Sequence, residues 1–217
     1  MKLMADFKGV IIMKKTILIN IPMTANIQRT VYGSNDRSLP ALQEPLYYPV
    51  SALLAKTMQP GDQIKAVMIT KHSAYSRSEE FADIFVQELN KINENIGADI
   101  TYELLESEFA EDKYVHDKLM YELVDHIETG STIIADVTFG PKDLPIVIFT
   151  ALNFAEKFLR CDIEHIIYGQ GVFKDGEIVN TMICDFSPLY ALKSLTDTIK
   201  CDDPEKARQI LKTIVSL

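Results

Sequence analysis

The chain has no phosphate-binding signature of the form G-x-x-x-x-G-K-[ST]. Gly169-x-Gly171 lacks a third glycine and precedes a hairpin signal where a helix would be needed. These absences argue against a phosphate-loop NTPase and an ordinary dinucleotide enzyme, and no cofactor is implied. Positive charge is also short: 22 Lys and Arg against 31 Asp and Glu leave a net charge of −9. Long DNA or RNA is held by neutralising many phosphates, which produces basic domains, so long nucleic acid is not an expected partner; a small anion in a locally basic pocket is still allowed. Cysteines are few and odd in number, Cys161, Cys184 and Cys201, with no C-x-x-C spacing, which points to reduced thiols and a cytoplasmic location. The four histidines, His72, His116, His126 and His165, share no metal-ligand spacing, so no metal is expected and each reads as a surface or packing residue. Arg160 and His165 have the spacing of an R-x4-H ribonuclease motif but straddle a helix end and a strand, and read as coincidence. No apolar run is long enough to span a bilayer. Phe7 to Met13 is short and lacks a cleavage site, and Leu144 to Phe154 is interrupted by Thr150 and Asn153, so no membrane partner is expected.

What is present alternates. Buried strands are predicted at Thr16 to Ile21, Ala66 to Thr70, Ile100 to Leu105, near Ile133 to Asp136, at Ile163 to Gly169, and in a sixth segment through Cys184. Between them, helical periodicity is predicted over Val50 to Met58 and Ser78 to Ile92, over the stripe Val115, Leu119, Leu123, Val124 and Ile127 that Gly130 ends, and from Pro145 onward. Asp175-Gly176 signals a hairpin before the sixth strand. Two further helices, Leu189 to Ile199 and Glu205 to Val215, close the chain. Alternating strands and helices imply an α/β domain with a parallel sheet of about six strands, helices on both faces and a late β-hairpin. The organisation reads as an N-terminal extension 1–13, which is an upstream start or an added strand, a main domain 14–192 and C-terminal helices 193–217.

The most informative stretch is Ile133 to Phe149, a strand, a tight loop and a helix. Asp143 suits the helix cap and Pro145 its first turn. Ligands of open α/β sheets bind where a strand's carboxyl end meets a helix's amino end, where free N–H groups and the helix dipole favour an anion, and Lys142 adds a positive charge. An ordinary turn with a solvated lysine fits the same residues. Three strand ends carry hydroxyls, an amide and lysines toward one edge: Pro22-Met23-Thr24-Ala25-Asn26, Thr70-Lys71-His72-Ser73 and Thr138-Phe139-Gly140-Pro141-Lys142. Together they suggest a phosphate-bearing ligand.

Asp136-x-Thr138-Phe139-Gly140-x-Lys142-x-Leu144-Pro145 resembles the D-x-T-H-G-x-[RK]-x-L-P signature of the CRISPR-associated Rossmann fold (CARF) family, and Ile166-Ile-Tyr168-Gly169 resembles that family's strand ending in Y-Y-G. The first-strand loop, the helix after Tyr47-Tyr48, and Thr70-x-x-Ser73-Ala74 are similar too, so the likeness covers roughly Lys14 to Leu192. Phe139 stands where the family has histidine; no role resting on an imidazole carries over, while a ring remains that can stack on a base. The resemblance implies a Rossmann-like stand-alone member. It would be a homodimer that binds a cyclic oligoadenylate of type III CRISPR antiviral defence, tetra- or hexa-adenylate, across its two-fold axis. With about 25 residues left after Leu192, a complete chain would sense or destroy the messenger without a separate nuclease. As a ring nuclease it would work without metal, the substrate's 2′-OH attacking the adjacent phosphate while Lys142 stabilises charge and Thr24 or Asn26 orients the ribose. Met23, Ala25, Thr70, Lys71, Ser73, Thr138, Phe139, Gly140 and Pro141 would line the ligand. Two alternatives stay open: a non-catalytic sensor that passes the signal to a partner protein, and an unrelated nucleotide-binding α/β protein.

Overall fold

A computed structural model of the chain describes residues 12–24, 27–36, 39, 44–110, 112–174 and 177–215. Among these are the strands β1 (Lys14–Asn20), β2 (Gln63–His72), β3 (Asp99–Glu108), β4 (Thr132–Asp136), β5 (Asp162–Lys174) and β6 (Glu177–Asp185). They form one sheet in the order β3-β2-β1-β4-β5-β6. Every neighbouring pair is parallel except β5 with β6, which is antiparallel. This is the Rossmann-like α/β architecture that the alternating pattern predicts. The Asp175-Gly176 turn lies outside the described residues.

The inner strands β1, β2 and β4 are near-continuous apolar runs because both faces of the sheet are covered there. Side chains alternate between the faces. Ile17 and Ile19 of β1, Ala66 and Met68 of β2 and Ile134 of β4 share one core with Leu53 and Leu54 of α1 (Pro49–Thr57) and Phe81, Phe85 and Leu89 of α2 (Ser78–Asn93). The alternate residues Leu18, Val67, Ile133 and Ala135 are fully buried as well. They belong to the opposite face, which α3 (Lys113–His126) and α4 (Leu144–Phe158) cover with Leu119, Leu123, Ile148 and Leu152.

Strand order reverses between β1 and β4. The chain steps outward from β1 to β2 and β3, then crosses back to place β4 on β1's other side. In open α/β sheets of this kind ligands bind in a crevice outside the carboxyl ends of the strands at the reversal. The hydrogen-bonded rows end together there, Asn20 beside Ile69, Ile19 beside Asp136 and Asp136 beside Ile167. β5 continues seven residues beyond that row to Lys174, about 23 Å at the usual strand rise. The segment after β1 bridges to β6 through the Gly33 N–H to Thr181 and the Ile183 N–H to Gly33, at 3.1 and 2.8 Å.

Residues from Pro188 onward form a second compact unit. It holds most of α5 (Ser187–Thr198) and all of α6 (Pro204–Val215). Asp203 caps α6, its Oδ1 accepting from the N–H groups of Glu205 and Lys206 at 2.9 and 3.2 Å.

Candidate functional site at the β1–β4 crevice

Asp136 ends β4 with its side chain fully buried. Its Oδ2 accepts from the Val50 N–H at 3.2 Å and its Oδ1 from the Thr138 N–H at 2.9 Å. Glu88 of α2 accepts from the N–H groups of Tyr47 and Tyr48, at 2.7 and 3.1 Å. Two buried carboxylates thus satisfy the free donors at the start of α1, so that helix end is closed to an external anion. Desolvation pushes the Asp136 carboxyl up from 3.8 to about 6 against the pull of these hydrogen bonds, and burial raises Glu88 too. Thr138 Oγ1 accepts from the Gly169 N–H at 2.8 Å. A Cβ on Gly169 would stand 2.5 Å from Pro49 Cγ and 3.1 Å from Thr138 Cγ2. Asp136, Thr138, Gly169 and Pro49 therefore form a lock that joins β4, β5 and α1, and this accounts for the D-x-T and Y-G residues without a ligand.

The turn that follows is different. Gly140 has φ +86°, a conformation open to glycine. Its missing Cβ leaves room for Leu144 Cδ1, which would stand 2.8 Å away, and for Asn20 Cβ at 3.5 Å. Asn20, the last residue of β1, is fully buried, and neither its amide oxygen nor its nitrogen has a hydrogen-bond partner. Such a pair is costly in a closed interior and marks places where a ligand or water completes the bonding. Lys142, two residues after Gly140 and just before the N-terminus of α4, is exposed. No family model matches this chain, and no curated protein matches it.

The other predicted residues divide. Met23 joins two loops, its carbonyl accepting from the Arg77 N–H at 2.7 Å, and Thr24 is exposed. Ala25 and Asn26 lie outside the described residues. Ser73 is half-buried and its carbonyl accepts from the Ser76 N–H. Thr70 is buried with no partner for its hydroxyl, on the sheet face opposite Asn20. The Phe139 ring meets Tyr48 edge-on at 5.7 Å, which takes it into the packing and away from base stacking. Pro141 is half-buried and its carbonyl accepts from the Leu144 N–H.

Two expectations change. Lys71 is 1% exposed, and its Nζ lies 3.2 Å from Ser107 Oγ, 3.3 Å from the Glu108 carbonyl and 3.4 Å from Asp143 Oδ2, so it faces the protein and not the crevice. Asp143 stands at the cap position of α4, but its side chain makes no cap hydrogen bond: Lys71 and the His116 imidazole, 3.1 Å away, draw its carboxylate sideways. Asn20 is not among the residues the sequence singles out, though it is the one amide inside the apolar run T-I-L-I-N-I, and that anomaly is the signal that points to it. Among the described residues no group of three His, Cys, Asp or Glu could hold a metal, and no helix is long and apolar enough to cross a membrane.

Proposed function

We propose that the chain binds a cyclic oligoadenylate across a homodimer at the β1–β4 crevice and cleaves it without metal, by attack of the ligand's 2′-OH on the adjacent phosphate. The observation that carries this reading is the unpartnered, fully buried Asn20 amide under Gly140, in a turn that two residues later presents the exposed Lys142 at the start of α4. A phosphate above that turn would meet the positive end of the helix dipole and one ammonium. The chemistry asks little more of the protein than in-line placement and a charge where the phosphorane develops. The resemblance of Asp136 to Pro145 to the CARF signature names the ligand class. The sensor reading is favoured by Phe139, which puts a packing ring where the family has an imidazole.

The exposed face of α4 supports a dimer. Ile146, Thr150, Phe154 and Phe158 follow at four-residue steps, and Ile146, Phe154 and Phe158 are 69%, 38% and 67% exposed. Beside the row lies a recess of about 300 Å³ lined by His116, Met120, Ile146, Val147 and Thr150 among others. The row begins next to the candidate turn, so a two-fold packing of α4 on α4 would set two Lys142 turns about one ring, and a symmetric ring suits an isologous interface. Incubating the protein with cyclic tetra- and hexa-adenylate in EDTA, with chromatography of the products, tests this. Linear products are expected. Intact rings after hours would remove the enzyme reading and leave the sensor, and absence of binding to either ring would remove both.

A further inference from the structure

We infer that Lys71 acts as a positioning residue for Lys142, holding its turn through Asp143 without touching the ligand. The inference rests on the ligand reading above, and its structural half stands apart from it. Three acceptors surround the Lys71 ammonium, Ser107 Oγ, the Glu108 carbonyl and Asp143 Oδ2, at 3.2, 3.3 and 3.4 Å. An ammonium has three protons to donate, so its bonding is complete inside the protein. Asp143 Oδ2 also faces His116 Nε2 at 3.1 Å, while Oδ1 is buried without a partner.

One carboxylate therefore ties the end of β2, the end of β3 and the start of α3 to a turn that begins α4. The backbone of the same residue takes part, because the Asp143 carbonyl accepts the N–H groups of Ile146 and Val147 at 3.0 and 3.1 Å. Lys142 is the residue immediately before. Its backbone is thus fixed from one side by Asp143 and from the other by the close fit of Gly140 on Asn20 and Leu144. Removing the Lys71 ammonium leaves Asp143 with His116 alone and frees the turn to move. Small displacements of a group that must meet a transition state are costly, up to about a hundredfold in rate for roughly 1 Å.

The experiment is a double-mutant cycle with Lys71→Met, which keeps the stem and drops the charge, and Lys142→Ala. The readout is single-turnover cleavage of whichever ring, cyclic tetra- or hexa-adenylate, the wild type takes, or ring affinity if the wild type only binds. Lys71→Met should slow cleavage on the order of a hundredfold when Lys142 is present, and by no more than about twofold when it is absent. Equal effects in both backgrounds would overturn the inference, since a loss of general stability acts regardless of Lys142. A fall in the salt dependence of ring binding in Lys71→Met would also overturn it, because only a lysine on the phosphate releases counterions. If the wild type binds neither ring, the ligand reading fails. The structural half is then decided by amide hydrogen exchange: faster exchange over residues 140–144 in Lys71→Met supports it, and unchanged exchange overturns it. Should Lys71→Met fail to fold, Asp143→Asn, which keeps the size and removes the charge, takes its place in the same measurements.

Discussion

Replacing Asp136 by asparagine isolates the energetics of the buried carboxylate that ends β4. Burial holds its folded pKa near 6, against an ordinary 3.8. Between those two values the folded chain keeps a proton that the unfolded chain has released, so stability falls as pH rises through the window. The contribution is fully present below 3.8 and lost above about 6. At 1.36 kcal/mol per tenfold in proton affinity it amounts to about 3 kcal/mol. Asparagine has no proton to lose, so its own curve lacks this component. It offers a single acceptor to the two N–H groups of Val50 and Thr138, which leaves one unpaired and adds a pH-independent cost of about 1–3 kcal/mol. Urea unfolding of both proteins from pH 3.8 to 7 separates the two effects. The stability of wild type minus variant should fall by about 3 kcal/mol across the range, with every other titrating group cancelling in the difference. Parallel curves would refute the reasoning, because they would mean that Asp136 titrates alike in folded and unfolded chains.

Other perturbations address the site and its frame. Lys142→Ala should lower cleavage on the order of a hundredfold or more while weakening ring affinity less; equal losses in both, from single-turnover rates beside equilibrium binding, would reassign the lysine to ground-state binding. Gly169→Ala places a Cβ 2.5 Å from Pro49 Cγ, an overpacking expected to cost about 1–3 kcal/mol and to lower Tm by about 2–4 °C for each kcal/mol; an unchanged melting curve would show that α1 yields freely. Phe158→Glu puts a charge on the exposed row of α4, and if that row is the proposed interface, light scattering should show a 24.5 kDa species for the variant and twice that mass for the wild type. A variant that remains dimeric would move the interface elsewhere.

The fold was legible because its strands are short apolar runs and its helices carry a three-to-four-residue stripe. Ser78 to Ile92 reads as one helix from Phe81, Ile84, Phe85 and Leu89 alone, and α2 spans Ser78–Asn93. The direction of Lys71 could have been read too: Val67, Ile69 and Lys71 alternate onto one face of β2, and the first two are fully buried. What local pattern could not supply was the partner. Asp143 looks like a helix cap in its own sequence context, and only the packing of β2 and α3 against it provides a lysine and a histidine that compete better for its carboxylate. Likewise, the D-x-T residues look like ligand contacts until Val50 and Gly169 arrive from distant parts of the chain to bond with them.

The paired carboxylates that close α1 also bear on the order of assembly. A nine-residue helix is too short to persist alone in water, and its end is stabilised by Glu88, 40 residues downstream of Tyr48, and by Asp136, 86 residues downstream of Val50. As the chain emerges from the ribosome, α1 therefore waits for β4 before its first turn can settle. Contacts so distant in sequence slow a folding reaction. During that wait the apolar face formed by Leu53 and Leu54, fully buried in the finished fold, stays open to other chains.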